Sequence, residues 1–298
     1  MPGRDSEKKL KAAPPAGKAL PKMTVPAVAT APERGEKLVM VTAYDFPQGR
    51  QVDAAGVDLV LVGDSLAMVV LGHPDTLSVT MDEMLHHVKA VRRGVSRALL
   101  VADMPFGSFH LGPEATVANA LRFLKEGGAQ AVKIEGARPE LVAALAGAEI
   151  PVMAHLGLTP QSLHKLGGFK VQGRSEEAAQ ALLAAALELE AAGAFALVLE
   201  CIPAPLAEEI SRRLTIPTIG IGAGAGCDGQ VLVYHDLLGL EDRMAPRFVR
   251  RYAHLGGEVR EAVAAFAADV RAGRFPSAEE SYGEAPPPAA AHLGKLYG

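Results

Sequence analysis

A chain of 298 residues, 49% hydrophobic with a formal net charge of −4 at pH 7, can bury a large core and offers no electrostatic pull toward nucleic acid or membrane surfaces. Trp is absent and aromatics make up 5% of the residues, which argues against a base-stacking platform, and two cysteines without metal spacing, Cys201 and Cys227, suggest a reducing compartment and no disulfide framework. No run of about 18 uncharged apolar residues suggests a membrane span and no apolar signal core opens the chain, so a soluble cytoplasmic protein is expected.

Residues 1–35 are rich in Lys, Pro and Ala, a composition that buries little surface and predicts a flexible N-terminal arm. Eight short apolar runs follow: KLVMVTA (37–43), DLVLVG (58–63), ALLVAD (98–103), QAVKIEG (130–136), IPVMAHLG (150–157), FALVLEC (195–201), IPTIGIG (216–222) and QVLVYHD (230–236). Runs apolar on both faces read as buried strands. Between most of them lie helical segments. Residues 81–95 follow the capping-box pair Thr80 and Glu83. Residues 114–126 stop at Gly127-Gly128, and residues 176–192 stop at Gly193. Residues 139–148 and 205–214 complete the clearer helices, and residues 244–272 would supply the closing ones. The last residues, 283–298, read as a flexible C-terminal tail.

Eight buried strands alternating with helices imply a parallel sheet, and eight is the number that closes a (β/α)8 TIM barrel in a single domain, here residues 36–282. An open doubly wound sheet is the alternative.

The carboxyl ends of these runs carry Asp45, Asp64-Ser65, Asp103, Lys133 with Glu135, His155, Glu200, the Gly-rich GIGAGAG and Tyr234-His235-Asp236. In a parallel barrel these ends converge on the face that holds the chemistry. Asp45, before Phe46-Pro47, reads equally as a turn residue. Lys133 and Glu135 are two apart on a strand and point to one side; burying them is costly unless they pair or bind a ligand, so a structural ion pair is the plain alternative to a site. Carboxylates converging without Cys suggest a hard divalent cation, Mg²⁺ before Zn²⁺. A 2-oxo acid would chelate it, and Lys133 would neutralise the acid's carboxylate or a developing enolate.

Gly224, Gly226 and Gly229 fit G-x-G-x-x-G, but no clear helix follows, so a dinucleotide site is not supported and a turn approaching a ligand closely is the better reading. His86 and His87 fall in a predicted helix as a solvated or packed pair. Cys201 reads as a small buried residue rather than a nucleophile.

The blocks TAYD (42–45), LVGDS (61–65), VRRG (91–94), ADMPF (102–106), VKIEG (132–136), HLGLTPQS (155–162), GGFKVQGR (167–174), LVLECIP (197–203), IGIGAG (219–224) and DGQ (228–230) occur in order, and over residues 23–282 the chain resembles the ketopantoate (3-methyl-2-oxobutanoate) hydroxymethyltransferase family. The resemblance implies a TIM barrel of the phosphoenolpyruvate/pyruvate type. It also implies transfer of a one-carbon unit from 5,10-methylenetetrahydrofolate to 3-methyl-2-oxobutanoate, on the route to pantothenate and coenzyme A. Carried over by motif, Asp64 and Asp103 would bind one Mg²⁺ per subunit, with Glu135 joining directly or through water. Asp64, Ser65, Asp103 and Lys133 would hold the oxo acid, and Glu200 would be the base. His155 either orients substrate or shuttles a proton, or bonds the barrel rim structurally. Family members are homo-oligomers, often decamers. Ala67 departs from the family pattern, which has Gly there frequently. A lyase of the same superfamily is the neighbouring alternative, disfavoured by HLGLTPQS and GGFKVQGR; a non-enzymatic sensor would have lost a metal or base residue, and none is missing.

Overall fold

A computed structural model describes residues 21–241, 243 and 246–283. Among them the eight apolar runs form eight parallel strands closed into a barrel in chain order. They are β1 (Leu38–Thr42), β2 (Leu59–Val62), β3 (Leu99–Asp103), β4 (Ala131–Glu135), β5 (Val152–Gly157), β6 (Ala196–Glu200), β7 (Thr218–Ile221) and β8 (Gly229–Leu232). Pairing of β1 with β8, from Leu38 opposite Gly229 to Val41 opposite Leu232, closes the sheet and rules out the open arrangement. Every residue of β2, β3 and β4 is buried, because helices cover the outside of a parallel barrel while side chains fill its inside.

The period of two sorts the interior. Inward positions near the start of the strands are apolar: Leu38, Met40, Leu59, Leu61, Leu99, Val101, Ala131, Met153, Ala196 and Val198 belong to one core cluster. Two or four residues later the same faces carry Asp103, Lys133, Glu135, His155 and Glu200. One end of the barrel is therefore an apolar plug and the other a charged cup.

The helices follow their local chemistry. Met81–Gly94 opens on the expected box, with Glu83 N–H donating to Thr80 Oγ1 at 3.2 Å and Thr80 N–H to Glu83 Oε2 at 2.8 Å. It buries Met84, Leu85, Val88 and Val91, one helical stripe. Pro113–Lys125, Pro139–Gly147, Glu176–Ala191 and Ala204–Arg213 lie within a residue of expectation. Phe46–Ala54 is a helix that the apolar pattern did not announce; Asp45 caps it, accepting from Gln48 N–H at 2.7 Å, with Pro47 in its first turn.

Two expectations are corrected. The N-terminal arm is shorter than 1–35: Val25–Ala29 is helical, and Met23, Val28 and Ala31 join the core cluster at the strand starts, because three apolar side chains among the Pro and Lys suffice to cap the open barrel end. Residues 1–20 and 284–298, on which the rest of the two tail expectations fall, lie outside the described residues. Described residues up to Tyr234, with Pro246–Val249, form one compact unit, and the remainder from His235 onward a second. In the second, Leu255–Arg271 buries no residue, and Val259, Val263, Phe266 and Val270 are exposed, so its apolar stripe reads like a core face without being one here. Finally, β8 ends at Leu232 and Tyr234–Leu238 is already helical, so Tyr234-His235-Asp236 does not extend the strand.

Candidate active site

Cross-strand register builds the charged cup. Asp103 opposes Lys133 across β3 and β4, Glu135 opposes His155 across β4 and β5, and Gly157 opposes Glu200 across β5 and β6. Lys133 Nζ donates to both oxygens of Asp103 at 2.7 Å and stands 3.9 Å from Glu135 Oε1. His155 stands between two carboxylates as an ion-pair contact, with Nδ1 3.4 Å from Glu135 Oε1 and Nε2 3.3 Å from Glu200 Oε2, neither nitrogen forming a hydrogen bond among the described residues. Asp64, two residues past the end of β2, offers its N–H to Asp103 Oδ2 at 3.3 Å. Beside it, Ser65 Oγ is 2.9 Å from the hydroxyl of the buried Tyr44. The positions expected from the strand ends, Asp64, Ser65, Asp103, Lys133, Glu135, His155 and Glu200, thus share one end of the barrel. Asp45 does not join them; its carboxylate is spent on the helix cap.

Gly157 makes this geometry possible. Its φ is +96°, and a Cβ there would meet Glu200 O at 2.1 Å, so only glycine lets β5 turn away as it passes the carboxyl end of β6. Leu158 N–H then donates to Glu200 O at 2.8 Å. The other glycines singled out earlier serve packing rather than a ligand. A Cβ at Gly224 would strike Ala204 at 2.4 Å, one at Gly226 Glu208 at 2.7 Å, and one at Gly229 Leu38 at 2.7 Å. His87 is a packed residue, its Nδ1 2.6 Å from Tyr44 O.

The residue that the strand-end pattern missed is Gln161. The loop after β5 makes a 3-10 turn at Pro160–Ser162, and Gln161 is buried. Its Nε2 donates to Asp64 Oδ2 and to Met104 O, each at 2.9 Å, and its N–H donates to Glu135 Oε2 at 3.0 Å. A loop glutamine has no periodicity to betray it, and only its place in HLGLTPQS could have drawn attention.

Burial and charge set the electrostatics. Burial and the charges of Asp103 and Glu135 push the Asp64 carboxyl well above the usual range, with Lys133 and Gln161 opposing. Burial works against the Lys133 ammonium, yet Asp103, Glu135 and Asp64 outweigh it and hold the group charged. Burial and Lys133 also disfavour a charged His155, but Glu135 and Glu200 prevail and raise it to about 9. Glu135 is held below its usual range despite burial, chiefly by His155. The Cys201 thiol is pushed up to about 11 by burial and by Glu200, which makes it a poor nucleophile at neutral pH.

The donor set suits a hard cation. Asp64, Asp103 and Glu135 crowd three buried carboxylates around one lysine, and burial first, then the charges of Asp103 and Glu135, disfavour an ionised Asp64 unless a further cation joins it. Among the described residues no three His, Cys, Asp or Glu side chains close on one point as a complete cage. Mg²⁺ needs none, taking one or two carboxylates and filling its remaining positions with water and substrate oxygens.

Comparison with known proteins agrees with the fold and the motifs. The family model described as ketopantoate hydroxymethyltransferase matches residues 22–278. A 3-methyl-2-oxobutanoate hydroxymethyltransferase of Nitratidesulfovibrio vulgaris (strain DP4) is 57% identical over 274 residues, 91% of this chain and 89% of that protein. One of Carboxydothermus hydrogenoformans is 54% identical over 267 residues, 89% of this chain and 97% of that protein. Among solved structures, 2,3-dimethylmalate lyase, a member of the PEP mutase/isocitrate lyase superfamily, superposes with a TM-score of 0.57 at 18% identity, covering 87% of this chain and 92% of its own. Phosphoenolpyruvate phosphomutase from Streptomyces platensis subsp. rosaceus superposes with a TM-score of 0.55 at 16% identity, covering 86% and 91%. At such identities the two structures share the barrel fold with this chain.

Proposed function

The chain belongs to the ketopantoate hydroxymethyltransferase family, and from that premise we propose that it carries a one-carbon unit from 5,10-methylenetetrahydrofolate to 3-methyl-2-oxobutanoate, giving 2-dehydropantoate and tetrahydrofolate on the route to pantothenate and coenzyme A. The observation that carries the mechanism is the contact of Glu200 with His155 at 3.3 Å, which sets a partly exposed carboxylate beside the buried cluster of Asp64, Asp103, Lys133 and Glu135.

Asp64 and Asp103 would hold Mg²⁺, with Glu135 completing the shell directly or through water. The ion supplies Lewis-acid polarisation of the 2-oxo group, which makes the proton on C3 easier to remove. Ser65 Oγ and Lys133 Nζ bind and orient the oxo acid, Lys133 placing a fixed positive charge where negative charge develops. Glu200 takes the C3 proton onto its carboxylate. His155, charged at neutral pH, stands beside that carboxylate and is held on its other side by Glu135. Both carbon–nitrogen bonds that hold the folate methylene carbon break, one replaced by a bond to C3 and the other by a bond to the oxygen of water; the C3 proton and the two hydrogens of water account for the two N–H groups of tetrahydrofolate and the new hydroxyl. The family expectation extends to a homo-oligomer, often a decamer, with one Mg²⁺ per subunit, acting on small molecules in the cytoplasm; among the described residues no helix is long and apolar enough to cross a membrane.

Proton NMR of 3-methyl-2-oxobutanoate in D₂O tests this reading. Enzyme and Mg²⁺ should erase the C3 proton signal, and adding methylenetetrahydrofolate should yield 2-dehydropantoate. Exchange without product would point to a different one-carbon donor or a sister enolising enzyme, and no exchange would sink the assignment of Glu200.

A further inference from the structure

The amide of Gln161 has a fixed orientation. Two acceptors, Asp64 Oδ2 and Met104 O, each lie 2.9 Å from one end of it, so that end must be the NH₂ group; a flipped amide would set an oxygen against both. The other end, Oε1, is then fixed as well. It is buried and has no hydrogen-bond partner among the described residues, while the residue as a whole is 4% exposed. A buried carbonyl oxygen without a partner is uncommon enough to need an explanation. The same residue links two strand ends, since its N–H holds Glu135 Oε2 at 3.0 Å while its side chain holds Asp64. Asp64 Oδ1 has no hydrogen bond among the described residues. The donors of Gln161 are thus spent on two carboxylates and the carbonyl of Met104, and its side-chain acceptor is idle.

We propose that Gln161 is a positioning residue for a hydrated divalent cation: it pins Asp64 through Oδ2 so that Oδ1 is left for the ion, and its Oε1 accepts a hydrogen from water in the ion's shell. The inference rests on the magnesium-dependent reading above and assigns to the loop after β5 a part in it. Residues that hold metal ligands by hydrogen bonds set the orientation and basicity of those ligands, and their loss weakens metal affinity by about 10–100-fold. A purely structural Gln161 would instead serve to dock its loop onto Met104 O and would leave the ion indifferent to its carbonyl.

Mn²⁺ is the probe, followed by electron paramagnetic resonance on the full chain, free ion reporting affinity and bound ion reporting the symmetry of its shell. Gln161→Met keeps length and apolar volume but removes the donors and the acceptor of the side chain. The expected result is a Kd weaker by about 10–100-fold and an altered line shape of whatever Mn²⁺ remains bound. A folded variant that binds within about twofold of wild type, with an unchanged line shape, overturns the inference alone. Wild-type protein that binds no Mn²⁺ overturns the metal reading, and the inference with it. Should Gln161→Met fail to fold, a crystal structure of the wild-type protein with Mn²⁺ decides: water of the ion's shell within hydrogen-bond distance of Gln161 Oε1 supports the assignment, and an Oε1 with no such water removes it.

Discussion

His155 and Glu200 project from adjacent strands and meet at 3.3 Å, Nε2 to Oε2. The imidazole, raised to about 9 once Glu135 and Glu200 outweigh burial and Lys133, is charged at neutral pH. The proposed base, Glu200, therefore sits next to a buried cation that has Glu135 on its far side at 3.4 Å.

Glu200→Gln keeps this shape and removes the proton acceptor. Turnover should fall by about 10²–10⁴-fold with the thermal midpoint unchanged, and deuterium exchange at C3 should slow with it. Exchange at the wild-type rate would move the role of base to another group.

Lys133→Met leaves Asp103 buried opposite an apolar side chain. Removing one partner of a buried pair costs about 3–5 kcal/mol, measurable by urea denaturation. Joining it to Asp103→Leu removes the stranded charge, so the double variant should recover much of the stability while remaining inactive. A single variant as stable as wild type would show that Asp103 finds its charge balance elsewhere.

Gly157→Ala forces a Cβ to 2.1 Å from Glu200 O at a φ of +96°. Backbone strain of about 1–3 kcal/mol adds to overpacking of about 1–3 kcal/mol, and relief by moving β6 would also displace the base. Both the midpoint and kcat should drop. Gly147→Ala, where a Cβ meets nothing within 4 Å, is the matched control and should be silent.

Asp53 governs acid stability far from the site. Its carboxylate accepts from Ala98 N–H at 2.7 Å, Ser96 Oγ at 2.7 Å, Ser96 N–H at 2.9 Å and Arg97 N–H at 3.1 Å. Burial pushes its carboxyl up, and these bonds together outweigh that and hold it below the usual range. Since the folded state binds its proton less readily than the unfolded one, the stabilisation is complete above the ordinary carboxylate range and is lost as pH falls through the folded value. Asp53→Asn should cost about 1.5–3 kcal/mol near neutrality and flatten the acid limb of stability against pH. Parallel limbs in the two proteins would rule Asp53 out.

The barrel was legible because burial on both strand faces writes itself as continuous apolar runs, and the charged ends of those runs have no cheap explanation other than convergence. Lys133 and Glu135 could be placed on one side by their spacing alone. Three things escaped. The helix Phe46–Ala54 is marked by its cap rather than by an apolar stripe. Gln161 acts from a turn, where no period operates. The packing of Met23, Val28 and Ala31 into the barrel depends on an open strand end that exists only once the fold is formed. The exposed stripe of Leu255–Arg271 misled for the opposite reason, since periodicity says which face is apolar and not what covers it.

The seam between β1 and β8 joins segments that are made far apart in time. Lys37 Nζ donates to Cys227 O at 2.7 Å, across 190 residues of chain, and β1 has no second neighbour until that distance has been synthesised. At roughly 5–20 residues per second the ribosome needs about 10–40 s to cover it. Throughout that interval the first strand of the barrel carries one unpaired edge and an uncovered apolar face, a template for pairing with another chain. The yield of folded chain should therefore respond to translation speed and chaperone supply as well as to the final stability of the barrel.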